Sequence, residues 1–368
     1  MMNTVKNGTR PIQKNQVRRI NWLRWIVGIS TGLFLLYRII LMVIRPTYGP
    51  VYWLGFLNTG LIVGGMYSLI AIGYTLVYGV MSLINFAHGD IMMLGCFAGF
   101  FTFEFLNYLP SGDSSFLNNH PILSILFAFI MGTGVSMLSG YFLEKLAYRP
   151  LRNSKIRLAP LISAVGASIF LETSAQILFG ATKKTYKNPD LLARGSGWNI
   201  QMDGGMIVIT KTGVFSLLMA IILMIALYLF VQKTKLGKSI RAVSQDKMTA
   251  QLMGINLDRV TSQTFLISGF LAGASGVMWG IHNGLFNHYV GFLPGIKAFT
   301  AAVLGGIGNI PGAMVGGMVL GIVESVGPAF LGIDFQLKDV IAFAILILVL
   351  ILKPSGLFGK SSGSVEKV

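Results

Sequence analysis

Long apolar runs alternate along the chain with short polar connections, and the runs exceed what the core of a soluble domain needs. They extend from about Ile26 to Ile44, Leu54 to Val80, Ile84 to Asn107, Pro121 to Lys145, Leu158 to Gly180, Gly213 to Gln232, Ser262 to His282, Pro311 to Gly327 and Lys338 to Leu352. A shorter element spans about Gly295 to Gly308. At about 1.5 Å per residue the first run alone reaches roughly 28 Å, the scale of a bilayer's hydrocarbon layer. The pattern predicts an all-α polytopic membrane protein with about ten membrane elements.

The connecting charges set the orientation. Lys145 to Arg157 holds five basic residues and Lys233 to Arg259 holds six, so both belong in the cytoplasm; Tyr108 to His120 holds none and belongs outside. Ten elements then leave both termini cytoplasmic, in accord with Lys353, Lys360 and Lys367. The loop 181–212 runs against this rule: it falls outside yet carries Lys183, Lys184, Lys187, Arg194 and Lys211. Its alternating stretch Trp198 to Thr210 predicts a small external hairpin turning at Asp203-Gly204. The loop is either simply solvated or a docking surface for an extracytoplasmic partner.

Composition agrees. Of 368 residues only 11% are charged, against roughly 25% in soluble domains. The net charge of +16 would suggest nucleic acid in a soluble chain, but here its positions report topology. The first 24 residues are basic without an acid, and with the apolar run after them they read as an uncleaved span rather than a signal peptide. Cys96 is the only cysteine, which excludes an intrachain disulfide and a CxxC metal site. The four histidines show no metal-ligand spacing, so no metal is expected. The tail "GLFGKSS" has the wrong glycine spacing for a phosphate loop, and no nucleotide motif of its own is expected in the chain.

Most of the 45 glycines read as close helix contacts. Two stretches resist that reading. Asn85-Phe86-Ala87-His88-Gly89-Asp90 is either a water-exposed cytoplasmic turn or a re-entrant break lining a cavity, with Asp90 placed to cap the helix that follows. Leu304 to Gly312, with Gly305, Gly306, Gly308 and Asn309, is a second break, preceded by Lys297 and Thr300. Among intramembrane charges, Glu104 and Lys297 read as snorkelling near span ends, Glu172 and Glu324 as buried polar partners. The cytoplasmic stretch 233–261 predicts a short helix starting near Ser244, capped by Ser244 or Asp246 and ended by Gly254. Ala250, Met253 and Ile255 form its apolar surface, suited to a partner's groove or to the bilayer.

The stretches "GGMYSLIAIGYTLVYGVMSLINFAHGDIMMLG", "LAYRPLRNSKIRLAPLISAVGASIFL", "AVSQDKMTAQLMGIN" and "GIKAFTAAVLGGIGNIPGAMVGGMVLGIVES" resemble the LivH-type permease of bacterial branched-chain amino acid ABC transporters, from about Leu57 to Lys360. The resemblance implies a basic extension with an additional span at 1–50, a permease domain at 51–360 and a tail at 361–368. It implies a bacterial inner-membrane permease that is no enzyme and carries no cofactor, ATP being used by partners. Those partners are a second, LivM-like permease, two cytoplasmic ATPases and an extracytoplasmic substrate-binding protein. By the same resemblance, Ser244 to Asn256 occupies the position of a coupling helix. Gln245 and Asp246 would make its polar contacts with an ATPase, and Ala250, Gly254 and Ile255 its packing surface. Asn85, His88, Gly89, Asp90, Thr300, Gly305, Gly306, Gly308 and Asn309 would line the path. The expected cargo is leucine, isoleucine and valine; urea, short amides or other neutral amino acids are the alternative, ahead of an ion-coupled secondary carrier.

Overall fold

The computed structural model describes residues 12–44, 48–111, 114–151, 159–202, 205–353 and 355–359, with backbone alone for 12–24, 42–43, 111 and 114. Its helices are α1 (Ile12–Ile44), α2 (Pro50–Met81), α3 (His88–Tyr108), α4 (Phe116–Asn119), α5 (Pro121–Leu143), α6 (Ala159–Phe179) and α7 (Lys211–Lys233). They continue with α8 (Lys235–Gln245), α9 (Lys247–Leu252), α10 (Leu257–Asn283), α11 (Phe292–Gly305), α12 (Ile310–Leu331) and α13 (Lys338–Leu352). Short strands are β1 (Pro110–Ser111), β2 (Ser114–Ser115), β3 (Lys184–Thr185), β4 (Gly197–Met202), β5 (Gly205–Thr210) and β6 (Leu285–Phe286). They pair antiparallel as β1–β2, β3–β6 and β4–β5.

Among the described residues, eight helices are long and apolar enough to cross a membrane, and the shorter apolar stretches Trp25–Leu41 and Phe292–Gly305 bring the elements to the ten expected. The chain is an all-α multi-pass membrane protein. The hairpin β4–β5 forms where alternation predicted it, while its turn Asp203-Gly204 lies outside the described residues, as do Arg152, Lys155, Arg157 and everything from Lys360 onward.

The interior is built on α2, whose apolar window is 89% buried, whereas those of α6 and α13 are 11% buried and form the outer face. Close packing comes from small residues. A methyl group on Gly64 or Gly321 would strike the facing backbone of α12 or α2, and the Ser68 hydroxyl donates to the carbonyl of Met314 across that contact (2.7 Å). Lipid offers no hydrophobic drive for helix association, so such approach of backbones carries the dispersion energy that joins the helices. Gly95, Ser136 and Gly273 join α3, α5 and α10 in the same way, with the Ser136 hydroxyl donating to the Ile91 carbonyl (2.9 Å).

The loop 181–212 is anchored rather than loose. Tyr186 is buried and its hydroxyl donates to the Cys96 carbonyl (3.0 Å), while the Asn188 side chain donates to the Ile281 carbonyl (2.9 Å). At the other end of the bundle, Leu357 and Phe358 donate backbone N–H groups to the carbonyls of Leu304 and Gly305 (2.7 and 3.1 Å), satisfying acceptors that the end of α11 leaves open. The additional helix α1 is hooked to the bundle by Arg38, whose guanidinium donates to the Phe330 carbonyl at the end of α12 (3.1 and 2.8 Å).

Candidate functional site

The first break is re-entrant. After α2 ends at Met81, with Ser82 left-handed (φ 59°), the chain turns back so that the buried His88 ring stacks edge-on against Tyr74 (4.8 Å) and fills the space left by Gly73. Gly73 lies about 12 Å along the helix from that end. Asn85 is buried and accepts from the Tyr148 hydroxyl (2.8 Å). Asp90 does not cap α3, contrary to expectation. The N-cap is Ala87, without a side-chain cap, and the Asp90 carboxylate instead accepts from Ser168 on α6 (2.5 Å). The reason is position: Asp90 falls in the first turn itself, where its side chain points across to α6.

Gly89 meets a second helix start. Its backbone packs against Gly291 and Gly295 so closely that no Cβ fits, and Gly291 is the N-cap of α11, also without a side-chain cap. Two helix N-termini therefore converge inside the bundle, each the positive end of a dipole, and the first amides of α3 are engaged within the chain: His88 N–H donates to the Asn85 carbonyl (3.1 Å) and Gly89 N–H to the Tyr74 hydroxyl. Beside them, Glu172 sits one turn beyond Ser168 on α6 and accepts from the Tyr289 hydroxyl. The arrangement places positive backbone ends next to two carboxylates and two hydroxyls, a combination suited to a zwitterion.

The second break is separate. Gly305 and Gly306 are buried, Gly308 is exposed and Asn309 half-buried, at the far end of α11 from Gly89. Asn309 caps α12 by accepting from Gly312 N–H (3.2 Å) and donates to the Phe358 carbonyl (2.9 Å), so the N-terminus of α12 is closed. Thr300, fully buried midway along α11, donates to the Ile296 carbonyl of its own helix (3.0 Å). The sequence reading missed Gly291, Gly295, Ser168 and Tyr289; the glycine-proline pattern 291–295 was the available signal.

Lys297 does not snorkel. It is buried and pairs with Glu324 (2.7 Å) and Asp339 (2.5 Å), because α11 starts inside the bundle rather than at its rim. Glu104 does lie at the surface, paired with Lys187 (3.2 Å).

In the loop after α7, the expected short helix forms as α9 with Asp246, of the two cap candidates, as its cap, and a further helix, α8, precedes it. Ser244 donates back to the Arg241 carbonyl (2.8 Å) and closes α8, while Asp246 caps α9 by accepting from Met248 N–H (2.8 Å) and Thr249 N–H (3.1 Å). The Asp246 carboxylate is thus committed within the chain, whereas Gln245 is exposed. Ala250 is buried against the bundle and Ile255 packs partly against it, so the apolar surface assigned to them is carried instead by Met248, Leu252 and Met253. Gly254 is exposed with φ +82° and ends α9, and Asn256 caps α10 by accepting from Arg259 N–H (3.0 Å). A polar groove of about 760 Å³ opens beside it, lined by Arg149, Gln251, Gly254, Asn256 and Asp258. Lys247 ties this loop to the first break by donating to the Met81 carbonyl (3.1 Å).

The chain is thus a multi-pass bundle in which two helix starts meet in the interior and a short capped helix, α9, is presented outside it. Residues 56–350 match the family described as branched-chain amino acid transport system / permease component, and the chain belongs to that family. It is 41% identical over 317 residues to the high-affinity branched-chain amino acid transport system permease protein BraD of Pseudomonas aeruginosa, covering 86% of this chain and 98% of that protein. The corresponding LivH protein of Escherichia coli is 39% identical over 318 residues, with the same shares. A probable LivH of Methanocaldococcus jannaschii is 27% identical over 322 residues, covering 82% of this chain and 91% of that protein. No solved structure matches the chain.

Proposed function

We propose that the chain is the permease subunit of an ATP-driven importer for leucine, isoleucine and valine in a bacterial inner membrane. Family membership along nearly the whole of its relatives' length carries this reading. The partners are a second related permease, two cytoplasmic ATPases and an extracytoplasmic substrate-binding protein. The chain itself supplies no catalysis and holds no cofactor, and ATP acts in the partners.

The path passes the meeting of α3 and α11. There the substrate carboxylate faces the N-terminal ends of α3 and α11, and its ammonium faces Asp90 and Glu172. Helix dipoles favour an anion at such ends. Aromatic and aliphatic neighbours such as Tyr74 and Phe299, whose rings lie 6.1 Å apart, suit an apolar side chain. Coupling runs through α9, whose Met248, Leu252 and Met253 enter an ATPase groove, with Gln245 at its rim.

Asp90→Asn in the reconstituted complex tests the path. Uptake of labelled leucine is expected to fall at least tenfold while the ATPases remain bound. Unchanged uptake kinetics would remove Asp90 from the path.

A further inference from the structure

Lys297, Glu324, Lys338 and Asp339 form a cluster of four alternating charges that links three helices. The Lys297 ammonium on α11 lies 2.7 Å from Glu324 on α12 and 2.5 Å from Asp339 on α13, and Lys338 lies 3.7 Å from Glu324. The Tyr67 ring of α2 sits 5.9 Å from the same ammonium and faces Glu324. Burial divides the cluster in two. The side chains of Lys297 and Glu324 are each 5% exposed, whereas those of Asp339 and Lys338 are 35% and 52% exposed.

That division gives the two contacts different mechanical properties. Separating α11 from α12 would strand a buried ammonium or carboxylate without a partner, which is strongly disfavoured. Moving the start of α13 away strands nothing: Lys297 keeps Glu324, while Asp339, whose Oδ1 is buried against Lys297 but whose side chain is a third exposed, and the half-exposed Lys338 complete their hydration. The inner pair is a permanent rivet and the outer pair a releasable latch. Lys297 belongs to both.

We infer that Lys297 is a positioning residue for transport: it fixes α11 to α12 through Glu324 and latches α13 through Asp339, and the latch opens and closes during the transport cycle. This rests on the reading of α11 as one wall of the path, since Lys297 stands about one and a half turns from the helix start that meets Gly89. The chemistry required is only exchange of an ion pair for water, with no proton or cofactor.

The test uses the whole transporter, this chain with its permease and ATPase partners, in vesicles. Asp339→Asn removes the latch and leaves the rivet. It is expected to retain assembly, thermal stability and the KM for labelled leucine, while leucine moved per ATP hydrolysed falls at least fivefold. Lys297→Met breaks both contacts and is expected to lose uptake, whether through misfolding or through misplacement of α11. The fourfold inversion K297E/E324K/K338E/D339K rebuilds every pair with reversed sign and is expected to recover at least a third of normal coupling. Normal coupling in D339N, or an inversion no better than K297M, would overturn the inference. If the unmutated transporter moves no leucine, the substrate reading fails instead, and the latch is still read from substrate-free ATP hydrolysis, which D339N is expected to raise.

Discussion

Asp246 shows how one side chain sets the start of α9, the helix proposed to dock. The Thr249 hydroxyl, then the amides of Thr249 and Met248, hold its carboxyl below the ordinary carboxylate range. A depressed folded-state pKa means that the stabilisation is fully present above the unfolded value of about 3.9 and is lost as pH falls through the folded one. Association of ATPase with the permease is therefore expected to show no contribution from Asp246 titration between pH 8 and 5. Asp246→Ala should weaken association throughout that range, and a wild-type advantage that vanished already near pH 6 would contradict the cap. Gly254 makes a complementary case. Its positive φ costs an L residue about 1–2 kcal/mol, while nothing stands within 4 Å of a Cβ there. Gly254→Arg should thus leave the protein inserted and folded yet reduce uptake more than tenfold with loss of bound ATPase, measured by co-purification and labelled-leucine uptake; normal uptake would remove α9 from coupling. Both residues were legible in the sequence, because caps and helix stops are local. Lys297 was not, since its burial depends on where α11 begins, and no neighbour in sequence records that.

Elements were legible wherever apolar length alone decides. All ten runs appear as helices, with ends displaced where polar residues extend a helix beyond its apolar run, as from Ile26 to Ile12 or from Ser262 to Leu257, or where a connection folds back, as from Ile84 to His88. Helix contacts were legible only as glycine density. The particular seam of Gly60, Gly64 and Ser68 against Gly317 and Gly321 depends on which of many glycines face one another. Gly321→Val is expected to destabilise the detergent-solubilised protein by about 3 kcal/mol or more, since the facing backbone of Gly64 has no rotamer with which to yield. A thermal midpoint within 1–2 °C of wild type (order-of-magnitude bound) would show that α2 and α12 can separate without cost. The helix α8 escaped prediction because its eleven residues are rich in Lys, Arg and Ser and follow directly on α7.

At the scale of the molecule, the sequence placed two breaks in the membrane but could not say which helix starts meet. Asn85 to Asp90 and Gly305 to Asn309 read as two breaks that both line the path; α11 runs between them, and the partner of Gly89 is Gly291. Long-range pairing of this kind arises from the packing of all ten elements, whereas a Gly/Pro cluster reports only that a helix stops. The Lys247 contact with the Met81 carbonyl then supplies a short physical connection from α9, the helix proposed to meet an ATPase, to the re-entrant turn. Such a connection suits rigid-body movement of one element by another. The central claim is that this bundle admits branched-chain amino acids. Its most direct measurement is uptake of labelled leucine by cells with and without the gene, in competition with unlabelled valine, isoleucine, urea and glutamine. Loss of uptake with the gene, and competition by valine and isoleucine alone, is the expected result. Unchanged leucine uptake together with a lost route for urea or another amino acid would contradict it.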